Sequence, residues 1–169
     1  MRSTEQQLVI RNALVDNYSN YAEGLDSKQW DLVRDCFADD VMIDYGEISA
    51  ATGSPDVPRK IEQWMEHLQN VINGFDITRH TITNHRVTIT DDEVSCRAYL
   101  MADHVVFTDP AHPIVGDDDV VTVVGEYCNH YTEVDGRWLI CKSALAVHYS
   151  RGNMALFVTG RERIAARGG

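Results

Sequence analysis

The sequence predicts an α+β fold in which a long, curved and mostly antiparallel sheet wraps around three helices as a cone, leaving a pocket at its open end. Helical periodicity is confined to the part before residue 73, whereas long strand-like segments fill residues 77–149. The tight Asp135-Gly136 turn joins the last two of these segments as a hairpin. With 169 residues and 44% hydrophobic content, the chain fits one domain over residues 1–169, with a tail from about 152.

The first two helices are predicted from a cap and from apolar spacing. Ser3-Thr4-Glu5-Gln6 resembles a capping box, and Gly24 suits a helix C-terminus. The apolar residues between them recur every three or four positions: Ile10, Leu14, Tyr18, Tyr21 and Leu25. The second helix then carries Trp30, Val33 and Phe37 on one face.

Prolines at positions 55 and 58 precede a third helix, whose apolar stripe consists of Ile61, Trp64, Met65, Leu68 and Ile72. His67 lies off this stripe, so we expect it to be exposed. A short strand is predicted at residues 41–45, and long strands at 77–90, 94–108, 120–134 and 137–149. Residues 154–158 of the tail could fold back over the sheet.

Composition argues against several function classes. The net charge is −11, with 15 basic and 26 acidic residues, so neither a nucleic acid nor an anionic membrane is an expected partner. No apolar run is long enough to span a bilayer, and the N-terminus has no signal-peptide pattern. Four widely spaced cysteines indicate reduced thiols, and we expect a cytoplasmic protein. No cofactor or metal motif occurs, and the Asp117-Asp118-Asp119 run is typical of a solvated loop.

Candidate chemistry centres on a carboxylate and two histidines. Asp26 lies at the joint between the first two helices, where a histidine from a strand could use it as an orienting partner. His80 and His104 both lie in strand-like segments. The carboxylate at the helix joint and the two strand histidines together indicate an Asp–His acid/base pair in a small cavity, with either histidine as the partner.

Strand parity gives His104 a distinct position. Its face reads Val94, Cys96, Ala98, Leu100, Ala102, His104 and Val106, so the histidine is the single ionisable group on an apolar stripe. We expect His104 and Leu100 to line the pocket, with Asp103 and Arg97 facing outward. On the preceding strand, His80 and Val87 fall on opposite faces of a regular alternation. Both can face inward only if the strand has a bulge, which we predict near Asn84-His85.

Each of these residues also has a structural interpretation. Asp26 and Gln29 could form a capping box for the second helix, and His80 could be a hydrogen-bonded core histidine. Tyr21, Tyr45 and Tyr127 could serve only as core aromatic residues.

Several motifs resemble the SnoaL-like group of the superfamily named after nuclear transport factor two, over roughly residues 5–150. Asp26-Ser27-Lys28-Gln29-Trp30-Asp31, Ile43-Asp44-Tyr45, His80 and His104 are most similar to the motifs of scytalone dehydratase. The spacing of Tyr21 and Asp26, with the segment from Asp103 to Asp109, is similar to bile acid 7α-dehydratase. Asp26 and His80 with Asn84 are similar to hexachlorocyclohexane dehydrochlorinase.

The resemblance implies a cofactor-free eliminating enzyme in which His80 pairs with Asp26. It implies the catalytic residues Asp26, His80, His104, Tyr45 and Tyr21, and a pocket that includes Tyr127, Leu100, Trp30 and Asn84. Leu25 replaces the tyrosine that precedes the aspartate of scytalone dehydratase, and Gly125 and Tyr127 replace a later serine and asparagine. A substrate other than scytalone is therefore expected.

The resulting expectation is a dehydratase-like lyase without cofactor or metal that acts on a small apolar cyclic or polyketide-like hydroxy compound. The same residues could serve an isomerase, a cyclase or an epoxide hydrolase, and the scaffold could instead be a non-catalytic binder of small ligands. Relatives on this scaffold imply a homodimer or homotrimer.

Overall fold

The computed structural model describes residues 2–112 and 114–167, so the predicted domain limits at 1 and 169 lie outside the described residues. The helices are α1 (Thr4–Ser27), α2 (Trp30–Arg34), α3 (Ile61–Ile72) and α4 (Leu156–Arg167). The strands are β1 (Phe37–Asp44), β2 (Arg59–Lys60), β3 (Ile77–Ile89), β4 (Val94–Val105), β5 (Val120–Val134) and β6 (Arg137–Gly152). Short 3₁₀ turns occupy Gly46–Ile48, Ala50–Thr52 and Asp117–Asp119.

The six strands form one curved, unclosed sheet in the order β2-β1-β6-β5-β4-β3. All neighbours are antiparallel except β1 and β6, which are parallel. This arrangement confirms the predicted α+β cone. The described residues contain four helices rather than three, because part of the tail beyond residue 152 forms α4.

Helix α1 is longer than predicted. The Ser3 capping box is present, but the helix continues through Gly24 to Ser27, and Lys28 adopts the left-handed conformation at its end (φ 57°). Gly24 instead allows a close approach to α2, because a Cβ atom there would lie 2.7 Å from Val33 Cγ2. Helix α2 ends at Arg34, so Phe37 belongs to β1 and not to a helix face.

The predicted bulge in β3 is confirmed. Pairing with β4 is regular from Ile77 to Thr83, shifts, and resumes at Arg86. Asn84 lies in the shift with φ 56°, in the left-handed region that asparagine tolerates better than most residues. The bulge lets His80 and Val87 both face the helices despite their opposite parity.

The core lies between the concave face of the sheet and helices α1 and α3. The predicted stripe of α3 is buried, with Ile61 and Trp64 fully enclosed. No helix among residues 2–112 and 114–167 is both long and apolar enough to cross a membrane.

Helix α4 is attached to the end of α3 and the start of β3. Arg163 donates to Asp76 at 2.7 Å and to the Gly74 carbonyl at 3.0 Å. Gly74 and Gly160 bring their backbones together, since a Cβ on Gly74 would lie 2.3 Å from the Gly160 oxygen. These contacts place Phe157 of α4 beside Phe75 and His104, with ring centroids 5.5 and 5.2 Å away.

Candidate active site

The carboxylate of Asp26 connects the last turn of α1 to β3. Its Oδ1 lies 2.7 Å from His80 Nδ1 and accepts a hydrogen bond of 2.9 Å from the Thr78 hydroxyl. Its Oδ2 accepts the backbone N–H of His80 at 2.9 Å. The side chains of His80 and Asp26 are only 5% and 11% exposed. The predicted Asp26–His80 hydrogen bond is therefore present, and three donors fix the carboxylate against one strand.

These hydrogen bonds also decide the charge of Asp26. Burial alone would raise the pKa of the carboxyl group, but the side-chain and backbone hydrogen bonds from His80 and the bond from Thr78 hold that pKa below its ordinary value. The ionised carboxylate accepts the N–H at His80 Nδ1, which leaves Nε2 with a free lone pair. Since His80 also lines an internal cavity, it has the arrangement of a general base held in one tautomer.

The capping-box interpretation of Asp26 is not what the structure shows. Asp26 lies inside α1, and the residue before α2 is Gln29, whose side chain makes no capping hydrogen bond. All the side-chain contacts of Asp26 described above go to β3, because α1 extends past the predicted joint and carries the carboxylate to that strand.

His104 lies next to the pair in a more apolar setting. The centroid of its ring is 5.6 Å from that of His80, and Phe75 and Phe157 lie at 5.0 and 5.2 Å. Burial lowers the pKa of His104 to about 4, with the nearby His80 acting in the same direction. Its Nδ1 is buried without a hydrogen-bond partner among the described residues. His104 is therefore a neutral imidazole at neutral pH.

The strand-parity prediction holds for β4. His104 and Leu100 line the cavity, whereas Arg97 is exposed and binds Glu126 at 2.6 Å. Asp103 accepts a hydrogen bond of 2.6 Å from the Thr122 hydroxyl and is not among the described cavity-lining residues.

Three buried tyrosines line the same cavity as the histidines. The ring centroid of Tyr127 lies 6.2 Å from that of Tyr21 and 5.8 Å from that of Tyr45. Burial raises the pKa of all three phenols above the ordinary value, so they stay protonated and can act as hydrogen-bond donors.

The hydroxyl of Tyr45 has a fixed direction. The Ser143 hydroxyl donates to Asn129 Oδ1 at 2.7 Å, and the Tyr45 oxygen lies 2.9 Å from Ser143 Oγ. Because the single Ser143 proton is engaged with Asn129, Tyr45 donates to Ser143. The Tyr45 oxygen consequently offers lone pairs to its other neighbours, and Tyr21 and Tyr127 are the available donors.

The cavity has two connected parts. The inner cavity, of about 80 Å³, is bordered by His80, His104 and the three tyrosines. The outer chamber, of about 600 Å³, opens beyond it. Both are lined by Tyr45, Ile48, His67, Val71, Val123, Leu145 and Phe157. A ligand reaching His80 would therefore place its larger part in the outer chamber.

Two residues that the sequence pointed to for the pocket lie elsewhere. Trp30 packs against the core at the start of α2, and Asn84 is exposed in the β3 bulge; neither is among the described lining residues. Trp30 is the first residue of α2, which is only five residues long. Asn84 belongs to the shifted part of β3, beyond the inward-facing His80 and Ile82.

Two lining residues were missed. His67, expected to be exposed, lies partly buried in both parts of the cavity, with its ring stacked on Trp64 at 5.2 Å. Phe157 comes from the tail. The spacing of His67 and Val71, four apart beside the apolar stripe, is the signal that could have indicated a second buried face of α3.

In the part of the chain that the structure describes, no three histidine, cysteine, aspartate or glutamate side chains are grouped as metal ligands. The four cysteines are free.

Comparison with known proteins agrees with this architecture. A solved protein from Kribbella flavida is 25% identical, with a TM-score of 0.73 over 92% of this chain and 99% of its own. A type 2 hexachlorocyclohexane dehydrochlorinase is 20% identical, with a TM-score of 0.70 over 89% of this chain and 93% of its own. A scytalone dehydratase-like protein from Novosphingobium aromaticivorans is 19% identical, with a TM-score of 0.68 over 89% and 96% of the two chains.

Among curated proteins, none matches this chain. The family described as the SnoaL-like domain matches residues 6–144, which is most of the sequence. The cone, the sheet order and this match together show that the chain belongs to the SnoaL-like domain family.

Proposed function

We propose that the protein is a cofactor-independent lyase, a dehydratase that removes water from a largely apolar cyclic or polyketide-like hydroxy compound. The observation that carries the proposal is the 2.7 Å contact between Asp26 Oδ1 and His80 Nδ1 at the wall of an apolar cavity. Dehydrochlorinase and dehydratase-like structures with the same fold support an elimination.

In the proposed reaction, His80 Nε2 removes a proton from a carbon next to a carbonyl or conjugated group. The imidazolium that forms is stabilised by the ionised Asp26, which also keeps the Nδ1–H tautomer in place before the reaction. A positioned general base of this kind typically contributes about 10²- to 10⁴-fold to the rate.

The departing hydroxyl needs hydrogen-bond donors and finally a proton. Tyr21 and Tyr127 are protonated and line the same cavity, so their hydroxyl groups can turn from Tyr45 to a substrate oxygen and stabilise the negative charge that develops on it. His104, neutral at neutral pH, can contribute an N–H hydrogen bond but holds no extra proton. The proton that reaches the leaving oxygen is therefore assigned to His80, which received it from carbon.

The direct test is a screen of cyclic β-hydroxy ketones, in which dehydration gives a conjugated enone that absorbs in the ultraviolet. Assays contain EDTA and no added nucleotide. We expect His80→Ala to lower turnover at least 10³-fold, whereas His148→Ala, which removes an exposed histidine of β6, should leave it unchanged. Full turnover by His80→Ala, or a requirement for a metal or nicotinamide, would show that the mechanism is wrong.

A non-catalytic ligand-binding protein is the competing class. Such a protein has no need for a base, so ligand binding without turnover, together with unchanged binding in Asp26→Asn and His80→Ala, would favour it over the lyase.

A further inference from the structure

The outer chamber contains a cation that no other part of the described chain neutralises. Arg161 of α4 is the one lysine or arginine among the described residues that line either part of the cavity. Five other arginines form ion pairs with carboxylates, among them Arg163, which lies 2.7 Å from Asp76. Arg161 makes no hydrogen bond or ion pair with any described residue. Its guanidinium group is thus free to bind a ligand.

Arg161 influences the pKa of His67, which also lines the chamber. Burial lowers the pKa of His67; a hydrogen bond with the Ile48 backbone opposes this decrease and the Arg161 guanidinium adds to it, so the pKa lies below its ordinary value. His67 Nε2 is buried and has no hydrogen-bond partner among the described residues. The chamber therefore presents an unpaired cation, with Glu47 as its one lining carboxylate among the described residues, on walls that are otherwise mainly apolar and include Val71, Val147 and Met154.

The carboxylate of Glu47 also lines the chamber, and its charge could neutralise that of Arg161. It lies in the turn after β1, whereas Arg161 lies on α4, and the two make no ion pair within the described structure. The charges that act on His67 include Arg161 and not Glu47. Among the described lining residues that α3 and α4 contribute, Arg161 is the single permanently charged side chain, although the protein carries a net charge of −11.

We infer that the substrate is amphipathic: an apolar cyclic body fills the outer chamber and an anionic group, a carboxylate or its equivalent, binds Arg161. A planar guanidinium is well suited to a carboxylate because it can donate two parallel hydrogen bonds. The inner cavity of about 80 Å³ admits only the reacting end of such a molecule, whereas the outer chamber of about 600 Å³ is in the range of ligand pockets. The inference that one end of the substrate reacts at His80 rests on the proposed function. The inference of an anion site at Arg161 does not depend on it.

The test compares two fluorescent probes that share an apolar body. N-phenyl-1-naphthylamine is neutral, and 8-anilino-1-naphthalenesulfonate carries one sulfonate on the same skeleton. Both are titrated into the full-length protein, and Kd is measured for wild type, Arg161→Gln, Arg161→Lys and Arg151→Gln. Arg151→Gln removes the same charge from an exposed position of β6 outside the described lining, and serves as the matched control.

We expect Arg161→Gln to raise the Kd of the sulfonate probe about five- to tenfold, with the neutral probe changed less than twofold. Arg161→Lys should retain part of the affinity, and Arg151→Gln should match wild type. Equal weakening of both probes by Arg161→Gln, or an unchanged Kd for the sulfonate probe, would overturn the inference. Repeating the titration in His80→Ala keeps this result separate from the proposed chemistry, because loss of turnover there leaves the anion site intact.

Discussion

His80 and His104 are neighbours in the same cavity, with ring centroids 5.6 Å apart, yet their surroundings differ in almost every respect. His80 has a carboxylate at 2.7 Å that Thr78 and a backbone N–H hold in place. His104 has phenylalanine rings around it and an Nδ1 with no partner among the described residues. One imidazole is prepared to accept a proton, and the other is kept neutral. Two adjacent titratable groups with opposed environments are a frequent basis for dividing acid and base roles.

After the loss of His80 itself, the largest expected effect on activity comes from removing the charge beside it. Asp26→Asn keeps the shape of the side chain but removes the charge that fixes the Nδ1–H tautomer, and we expect kcat to fall about 10²- to 10³-fold. The imidazole nitrogen shifts measured by NMR should report the altered tautomer. Asp103→Asn, the same change on a carboxylate outside the described lining, is the control.

If the kcat of Asp26→Asn stayed within threefold of wild type, the carboxylate beside His80 would not contribute to catalysis. The different surroundings of His80 and His104 would then have no bearing on the reaction. A double variant also sharpens the comparison. Since Asp26 acts through His80, Asp26→Asn should lower the residual rate of His80→Ala by less than about threefold.

The second prediction concerns stability at acid pH. An unfolded histidine binds a proton below about pH 6.5, whereas folded His104, with its pKa of about 4, does not. The unfolded state thus binds more protons between these values, and the free energy of unfolding should fall on the order of 3 kcal/mol as pH drops from 6.5 to 4. The loss is complete below about 4 and absent above 6.5.

His104→Phe tests this by removing the group. Urea unfolding at pH 7.5 and pH 4.5 should show a smaller decrease for the variant than for wild type, and the variant should be at least as stable as wild type at pH 4.5. His148→Ala, an exposed histidine, should reproduce the wild-type decrease. Parallel pH dependence of His104→Phe and wild type would contradict the buried, neutral state assigned to His104.

The smallest effect is expected at Thr78, which supports the carboxylate from β3. Thr78→Val preserves the volume of a fully buried side chain and removes the hydroxyl bond of 2.9 Å to Asp26 Oδ1. We expect kcat to fall about five- to tenfold with KM unchanged, because hydrogen bonds to charged groups contribute about 1.5–3 kcal/mol and two other donors remain on Asp26. A change in KM alone would indicate a substrate contact instead of support for the Asp26–His80 pair.

The sequence predicted five of the six strands, the β3 bulge and the inward position of His104 because strand alternation is a local property. His104 alternates in phase with Leu100, Ala102 and Val106, so its side chain is expected on the apolar face of the strand. His80 and Val87 have opposite parity, so both can face the core only if the pairing register of the strand shifts between them. The contact of Asp26 with His80 spans 54 residues, and the resemblance to known motifs supplied it rather than periodicity.

Other features depend on contacts that one chain segment does not reveal. Gly24 was predicted to end a helix, but it occupies a close approach to Val33 that only the packing of α2 defines. His67 was predicted to be exposed because the sequence does not show that α4 and the turn after β1 enclose the flank of α3. The proposed anion site at Arg161 depends on the same enclosure.

The attachment of α4 has a consequence for how such an enzyme could diversify. The proposed base and its carboxylate belong to α1 and β3, whereas Phe157 and Arg161 belong to a C-terminal helix held by Arg163 and by the Gly74–Gly160 approach. Mutations at positions of this helix that line only the outer chamber, such as Arg161, can therefore change that chamber while the contacts between Asp26 and His80 stay in place. An engineer could keep Gly160 and Arg163 as the anchor, randomise the chamber-facing positions of α4, and select new substrate ranges from a single catalytic core.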